Sequence, residues 1–158
     1  MLVTTALPGL HLTPVNLADF DALFNLRQAA MQESAQALGQ MHAARIKQAL
    51  AAQFDAKHAW HIVWYDTRVG WFGWQSKEQI IWLEHFYILP QYQNLGIGTM
   101  LLQLLCQQAD LTGQYIQLTA LRGSRANTFY ARFGFELISS NTWDCLFRRA
   151  PYSTLVTD

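Results

Sequence analysis

Charge is scarce in this chain of 158 residues: 14% of them are charged, and Lys+Arg and Asp+Glu number 11 each, leaving a formal net charge of +0. Without an excess of positive charge there is nothing to neutralise a nucleic-acid backbone or to hold an anionic membrane surface, so neither is expected as a partner. Cysteine is scarcer still. Cys106 and Cys145 stand far apart, each among apolar neighbours (LLQLLCQQA and TWDCLF), a setting that suits buried thiols better than a disulfide framework or a metal site. His11, His42, His58 and His61 show no ligand spacing with Cys or carboxylates that would suit zinc, and no metal is expected. Long apolar runs are missing too, since none approaches the ~20 residues of a membrane span. The opening MLVTTALPGL lacks the basic start and the small-residue cleavage pattern of a signal peptide, so a cytoplasmic protein is expected. No repeat, low-complexity tract or Pro/Ser-rich linker divides the chain. One domain is expected over residues 1–151, followed by a loose tail at 152–158.

What is present is apolar and periodic. Hydrophobic residues make up 51% of the sequence, enough to bury a core and to argue against disorder. LHLTP reads as a short strand, and Asn16 with Asp19 three residues on marks a helix start, followed by Leu17, Phe20, Leu23, Phe24, Ala30 and Met31 at helical spacing. A second helix is expected from Met41 to Phe54, with Ile46, Leu50 and Phe54 four apart and Gly39 breaking the chain before it. The period then changes. AWHIVWYDTRVGWFGWQSKEQIIWLEHFYIL is rich in β-branched and aromatic residues and is cut by Asp66-Thr67-Arg68 and by Gln75-Ser76-Lys77-Glu78, which predicts a three-stranded meander. In its third strand Trp82, Glu84, Phe86 and Ile88 share a face, opposite Leu83, His85 and Tyr87, so a carboxylate is placed inside an otherwise apolar strand. After Pro90 the helical period returns from Ile97 to about Leu111, with Gly113 as its stop. QYIQLTAL reads as a strand, Ser124 caps a helix running to about Phe133 that Gly134 closes, and FELIS and WDCLFRR supply the last strands.

The stretch QYQNLGIGTM puts two glycines, one residue apart, where that third helix starts. Lacking Cβ, they allow a tight turn whose amides point inward, and the helix N-terminus behind them adds partial positive charge. The result is an anion cradle, although glycines at a strand-to-helix turn also serve packing alone. No Gly-Lys-Ser/Thr follows, so this is no Walker loop. Neither a third glycine nor an opening βαβ unit completes a dinucleotide fingerprint.

In context, Gln93-Asn94-Leu95-Gly96-Ile97-Gly98 resembles the Gln/Arg-x-x-Gly-x-Gly/Ala signature of the GNAT superfamily of N-acetyltransferases, and FYILPQY resembles the strand and loop that lead into it. SRANTFYARFGF, Ser124 to Phe135, is similar to the family's closing helix, in which a Tyr precedes a Gly-Phe that opens the next strand. The order of elements agrees along nearly the whole chain. The resemblance implies an α/β fold with a mixed, mostly antiparallel twisted sheet of about seven strands and about four helices. The strands Ile80 to Leu89 and Tyr115 to Leu121 would splay apart to admit acetyl-coenzyme A.

Site residues follow from the same resemblance. Backbone amides of Gln93, Asn94, Leu95, Gly96, Ile97 and Gly98, with Thr99, would hold the pyrophosphate, and main chain at Tyr87, Ile88 and Leu89 would pair with the pantetheine arm. Tyr130 takes the position of the general acid that faces the coenzyme sulfur; it also fits an aromatic core residue near Ala126. Glu84 resembles the carboxylate of polyamine-acetylating relatives. Burial among Trp82 and Phe86 would raise its pKa towards that of a base or water relay, while anchoring a cation or a structural hydrogen bond are its other readings. His85 is a reserve base. Many relatives carry an Asn seven residues before the Tyr, but here that position is Gly123, which leaves main chain, Ser124 or Asn127 to contact the pantetheine. Trp60, Trp64, Trp71, Trp74 and Trp82 suit cross-strand packing, with an acceptor pocket as the alternative use. The implied activity is acetylation of a primary amine on a small molecule or an amino terminus of a peptide, with a homodimer as a possible assembly. The opposing reading is a non-catalytic acyl-coenzyme A binding module.

Overall fold

The computed structural model describes residues 7–32 and 43–153, so Gly39, Met41 and His42 lie outside the described residues. Among the described residues there are seven strands: β1 (Leu10–Pro14), β2 (Ala59–Trp64), β3 (Thr67–Lys77), β4 (Ile80–Ile88), β5 (Tyr115–Leu121), β6 (Glu136–Ser140) and β7 (Asp144–Arg149). Among the described residues four α-helices accompany them: α1 (Phe20–Ala30), α2 (Ala43–Gln53), α3 (Ile97–Thr112) and α4 (Arg125–Ala131). The sheet order is β1-β2-β3-β4-β5-β7-β6. Pairing is antiparallel between β1 and β2, β2 and β3, β5 and β7, and β6 and β7, whereas β4 and β5 run parallel through Ile80↔Tyr115, Ile81↔Ile116 and Trp82↔Gln117. This is the mixed, mostly antiparallel sheet that the family resemblance implies.

The chain divides into two compact units, residues 1–74 with 85–98 and residues 75–84 with 99–158. In the first, β1, β2 and the start of β3 meet α1, whose buried face presents Leu23 and Phe24. Val15, Leu23, Ala59 and Trp71 form its core, with Leu26, Phe54, Ala56 and Tyr87 packed against them. Trp71 is 1% exposed, and its indole N–H donates to Leu23 O at 3.1 Å, so its only polar atom is satisfied on burial. Withdrawing ~200 Å² of such a ring from water contributes about 5 kcal/mol before entropy is counted. For Trp71 the packing use therefore holds. The entry to α1 is a 3-10 turn at Leu17–Asp19, where the Asp19 carboxylate accepts the Asn16 N–H at 2.8 Å, so the Asn16/Asp19 start signal is realised one turn early. That hydrogen bond and those from buried His61 and Arg68 hold the Asp19 carboxyl below its ordinary range.

The second unit buries Leu101, Leu102, Leu105 and Ala109 of α3, all 0% exposed, with Leu105 four residues after Leu101 and Ala109 four after Leu105, as a core-facing helix stripe requires. Here two expectations are corrected. Gln75, Ser76 and Lys77 do not break the meander; they extend β3, and the chain reverses at Glu78 and Gln79, whose φ values of 50° and 68° give the left-handed pair a two-residue hairpin needs. Thr67 and Arg68 likewise belong to β3, with the preceding turn made at Tyr65. Tyr152 N–H donates to Asp110 Oδ1 at 2.9 Å, and the Arg149 guanidinium lies 4.6 Å from the centre of its ring. Cys106 and Cys145 are buried free thiols, and burial pushes the Cys106 thiol up to about 11, which keeps it protonated and inert.

Candidate active site

In the first unit the end of β4 and the loop after it form one continuous feature. Leu89 N–H donates to Val69 O at 2.8 Å, which uses that amide within the sheet. A 3-10 turn at Pro90–Tyr92 follows, and the Gln93 side-chain amide reaches back to donate to Ile88 O at 2.8 Å. Gln93 thus fastens the loop to the strand it left, and its side chain is already engaged. The next residues alternate in backbone hand: Asn94 has φ 61° and Gly96 φ 85°, on either side of Leu95. Asn tolerates the left-handed region and Gly adopts it freely; such alternation turns successive N–H groups towards one concavity. The loop delivers the chain directly into α3, whose first amides have no carbonyl partner inside the helix.

The two glycines therefore have different reasons. Gly96 is required by its φ, and a Cβ there would meet nothing within 4 Å. Gly98 is absent from the residues of positive φ and sits in the first turn of α3, where any residue could adopt the backbone. It places no side chain on the first turn of the helix.

The other feature of this unit is an aromatic cluster on one face of the sheet. The β4 alternation is interrupted at His85, whose φ of 58° takes it out of extended backbone within the strand. His85 stacks on Trp71 at 4.8 Å and Tyr87 tilts against it at 5.6 Å, whereas Phe86 faces Phe72 at 6.2 Å. Burial, and then the nearby Arg27 charge, lower the His85 pKa to about 4. Its imidazole is neutral at physiological pH, which makes it a weak proton acceptor rather than a strong base. Because this value lies below the ordinary 6.5, the unfolded chain binds the proton more readily between about 6.5 and about 4, and stability falls as pH drops through that window. In His85→Asn, which keeps a residue suited to positive φ, the fall in melting temperature between those pH values should be much shallower. An unchanged acid slope would locate the titration elsewhere.

Arg27 is the residue of this cluster that sequence reasoning does not single out. Its Nε donates to Tyr87 Oη at 3.3 Å across a separation of 60 residues, and no local pattern in α1 marks that partnership.

In the second unit Tyr130 is 6% exposed and its ring is set among Phe129, Phe135 and Phe147 at 5.4, 5.6 and 6.5 Å. Glu84 is exposed, which corrects the expectation of burial between Trp82 and Phe86. Gly123 has φ 79°. That left-handed conformation is one that Asn and Gly share, so a Gly at this position keeps the turn while giving up the side chain. Ser124 occupies the N-cap position of α4, yet its Oγ donates to Leu121 O at 2.8 Å instead of capping the helix. Asn127 Nδ2 is held locally as well, by Leu121 O at 2.8 Å, Ser124 O at 3.0 Å and Ser124 Oγ at 3.1 Å. Thr99 lies in the first turn of α3. Among the described residues no group of three His, Cys, Asp or Glu side chains could hold a metal ion, and no helix is long and apolar enough to cross a membrane.

Comparison with known proteins places these features in a family. Among curated proteins no match is found. Solved structures with the same fold include an acetyltransferase from Thermus thermophilus, 18% identical, with a TM-score of 0.70 over 95% of this chain and 99% of that one. A PaiA N-acetyltransferase from Thermoplasma acidophilum in complex with coenzyme A is 13% identical, with a TM-score of 0.69 over 89% of this chain and 98% of that one. The ribosomal-protein-S18-alanine N-acetyltransferase from Escherichia coli is 14% identical, with a TM-score of 0.67 over 93% and 97% of the two chains. The profile of the acetyltransferase (GNAT) domain matches residues 55–137, more than half of the sequence and the part that holds β2 to β5, the Gln93–Gly98 loop and α4. By that match the chain belongs to the GNAT acetyltransferases and is an acyltransferase.

Proposed function

We propose that this protein is an N-acetyltransferase that moves the acetyl group of acetyl-coenzyme A to a primary amine of a small molecule or an amino terminus by direct attack. The backbone of Gln93–Gly98 carries the reading. Asn94 and Gly96 have positive φ, and Gly98 lacks a side chain without conformational need. Amides of this loop and of the first turn of α3 bind the pyrophosphate, which explains how a chain with so few cations can hold a polyanion. The pantetheine arm pairs with main chain at Tyr87 to Leu89 as an added strand. Since Ile88 O already accepts from Gln93, the arm shares that carbonyl or displaces the glutamine. The neighbour crystallised with coenzyme A and the neighbour named for acetylating a ribosomal-protein alanine support the donor and the amine class. Residues 1–151 are read as one acetyltransferase domain.

The chemistry demands placement above all, because a thioester is already activated. The amine nitrogen bonds to the acetyl carbon as the C–S bond breaks, and the products are the N-acetylated amine and the coenzyme A thiol. Glu84 takes the proton lost by the amine; its exposure suits a relay through water. Tyr130 donates its hydroxyl proton to the departing thiolate.

The cradle is tested with Gly98→Val. Side-chain bulk at the helix N-terminus should weaken acetyl-coenzyme A binding by about tenfold or more, the equivalent of about 1.4 kcal/mol, in a variant that still melts cooperatively. Calorimetry that finds wild-type affinity in the folded variant defeats the reading.

A further inference from the structure

We propose that Arg27 reads a carboxylate on the acceptor, so that preferred substrates are amines bearing an acidic group close to the amine, of the amino-acid class, and not polyamines. The inference rests on the transferase reading for where the acceptor sits, and on the surroundings of Arg27 for what the acceptor carries.

Arg27 lies half-buried in the last turn of α1. Its Nε donates to Tyr87 Oη at 3.3 Å, its Nη1 donates to Gln28 Oε1 at 2.8 Å, and its guanidinium carbon stands 5.7 Å from the centre of the Tyr87 ring. All of these groups are neutral. Lys47, Arg68 and Arg149 each meet a carboxylate, on Asp21, Asp19 and Asp110, whereas among the described residues Arg27 meets none. A guanidinium has five N–H donors in a planar fork, and the contacts on Nε and Nη1 leave donors that match a carboxylate in two parallel hydrogen bonds.

Position makes this charge relevant to the acceptor. Tyr87 belongs to the β4 segment whose main chain takes the pantetheine arm, and its hydroxyl leads from that strand to Arg27. A carboxylate on Arg27 thus lies one tyrosine length from the cofactor's strand. Tyr87 and His85 are both braced on Trp71, so the cation sits above a fixed aromatic surface. His85 is neutral and adds no second cation to the cluster. A polyamine entering here meets like charge, while a carboxylate gains charge-assisted hydrogen bonds in a partly desolvated setting.

The test is coenzyme A release with glycine, leucine, phenylalanine and glutamate, each against its α-amide, and with spermidine. The wild type should prefer the acid of each productive pair, and Arg27→Gln should raise KM for the acid about 10- to 100-fold and narrow the acid-over-amide preference by a similar factor, with kcat changing less. Arg27→Lys, which keeps the charge and loses the fork, should recover part of that preference. Equal use of acids and amides by the wild type, a preference for spermidine, or an unaltered preference in Arg27→Gln overturns the proposal. Quenching of tryptophan fluorescence by N-acetylglycine and N-acetylglycinamide in the presence of coenzyme A needs no turnover and keeps the two ideas apart. Carboxylate binding that depends on Arg27, in a protein that acetylates no amine, sinks the transferase reading and leaves the Arg27 assignment standing. Binding of N-acetylglycine that Arg27→Gln does not weaken sinks the Arg27 assignment whatever the turnover.

Discussion

Asp110→Ala should destabilise the protein by about 3–5 kcal/mol. Arg149, only 4% exposed, places Nη1 at 2.8 Å and Nη2 at 3.0 Å from the two oxygens of Asp110, and its Nε donates to Phe133 O at 3.1 Å. Removing the carboxylate strands a cation that water reaches poorly, and it also releases the Tyr152 N–H that Asp110 accepts. The cost is that of an unpaired buried charge, and it exceeds the net worth of the pair. For the same reason Asp110→Leu combined with Arg149→Met should recover most of the loss, because neither charge is then buried. Urea unfolding measures both. A loss below about 1 kcal/mol in the single variant, or a double variant no better than the single, would show that the guanidinium finds water or another partner. The Arg149 hydrogen bond also holds the Asp110 carboxyl below its ordinary value. The pair's stabilisation is therefore present above the ordinary carboxylate range and is lost in acid as the pH falls through the depressed folded value.

That pair illustrates what a sequence conceals. Asp110 and Arg149 are 39 residues apart, on a helix and a strand whose individual patterns are complete without them. Elements and their order are readable because period, turn residues and glycine stops agree locally, as in α3, where Ile97 opens the apolar stripe and Gly113 follows the last turn. The hairpin between β3 and β4 is misplaced by sequence pattern because Glu78 and Gln79 are poor advertisements for positive φ, while Ser76 and Lys77 look like loop residues and extend a strand. The turn between Gln93 and Gly98 is legible through glycine, whose use at Gly96 is conformational and local. The exposure of Glu84 is not: period-2 alternation assumes an unbroken strand, and the left-handed backbone at His85 breaks it beside that residue. Arg27 carries no local mark at all, since its meaning comes from Tyr87 and from the lack of a carboxylate ion pair among the described residues.

The effect expected to divide an enzyme from a binding module is that of one oxygen atom. Tyr130→Phe keeps a ring held by Phe129, Phe135 and Phe147 and deletes only the hydroxyl, so folding should be spared. As general acid the hydroxyl meets negative charge on sulfur only late in the reaction, and it therefore stabilises the transition state more than the ground state. The expected result is a fall in kcat of about 10- to 1000-fold, with acetyl-coenzyme A affinity changed by less than about tenfold. Glu84→Gln in the same assay separates the carboxylate's readings. A base or relay loses kcat and the acid limb of the rate profile, an anchor for the ammonium raises only the acceptor's KM, and a structural residue moves neither. The glycine at position 123 does not weigh against turnover by itself, because its φ of 79° is one that Asn and Gly both supply. A wild type that turns over an amine while the Phe variant keeps its full rate would assign protonation of the sulfur to water or another group. Tight acetyl-coenzyme A binding without acetylation of any amine in a panel of amino acids, peptides, polyamines, aminoglycosides and arylamines would make the protein a sensor built on a transferase fold.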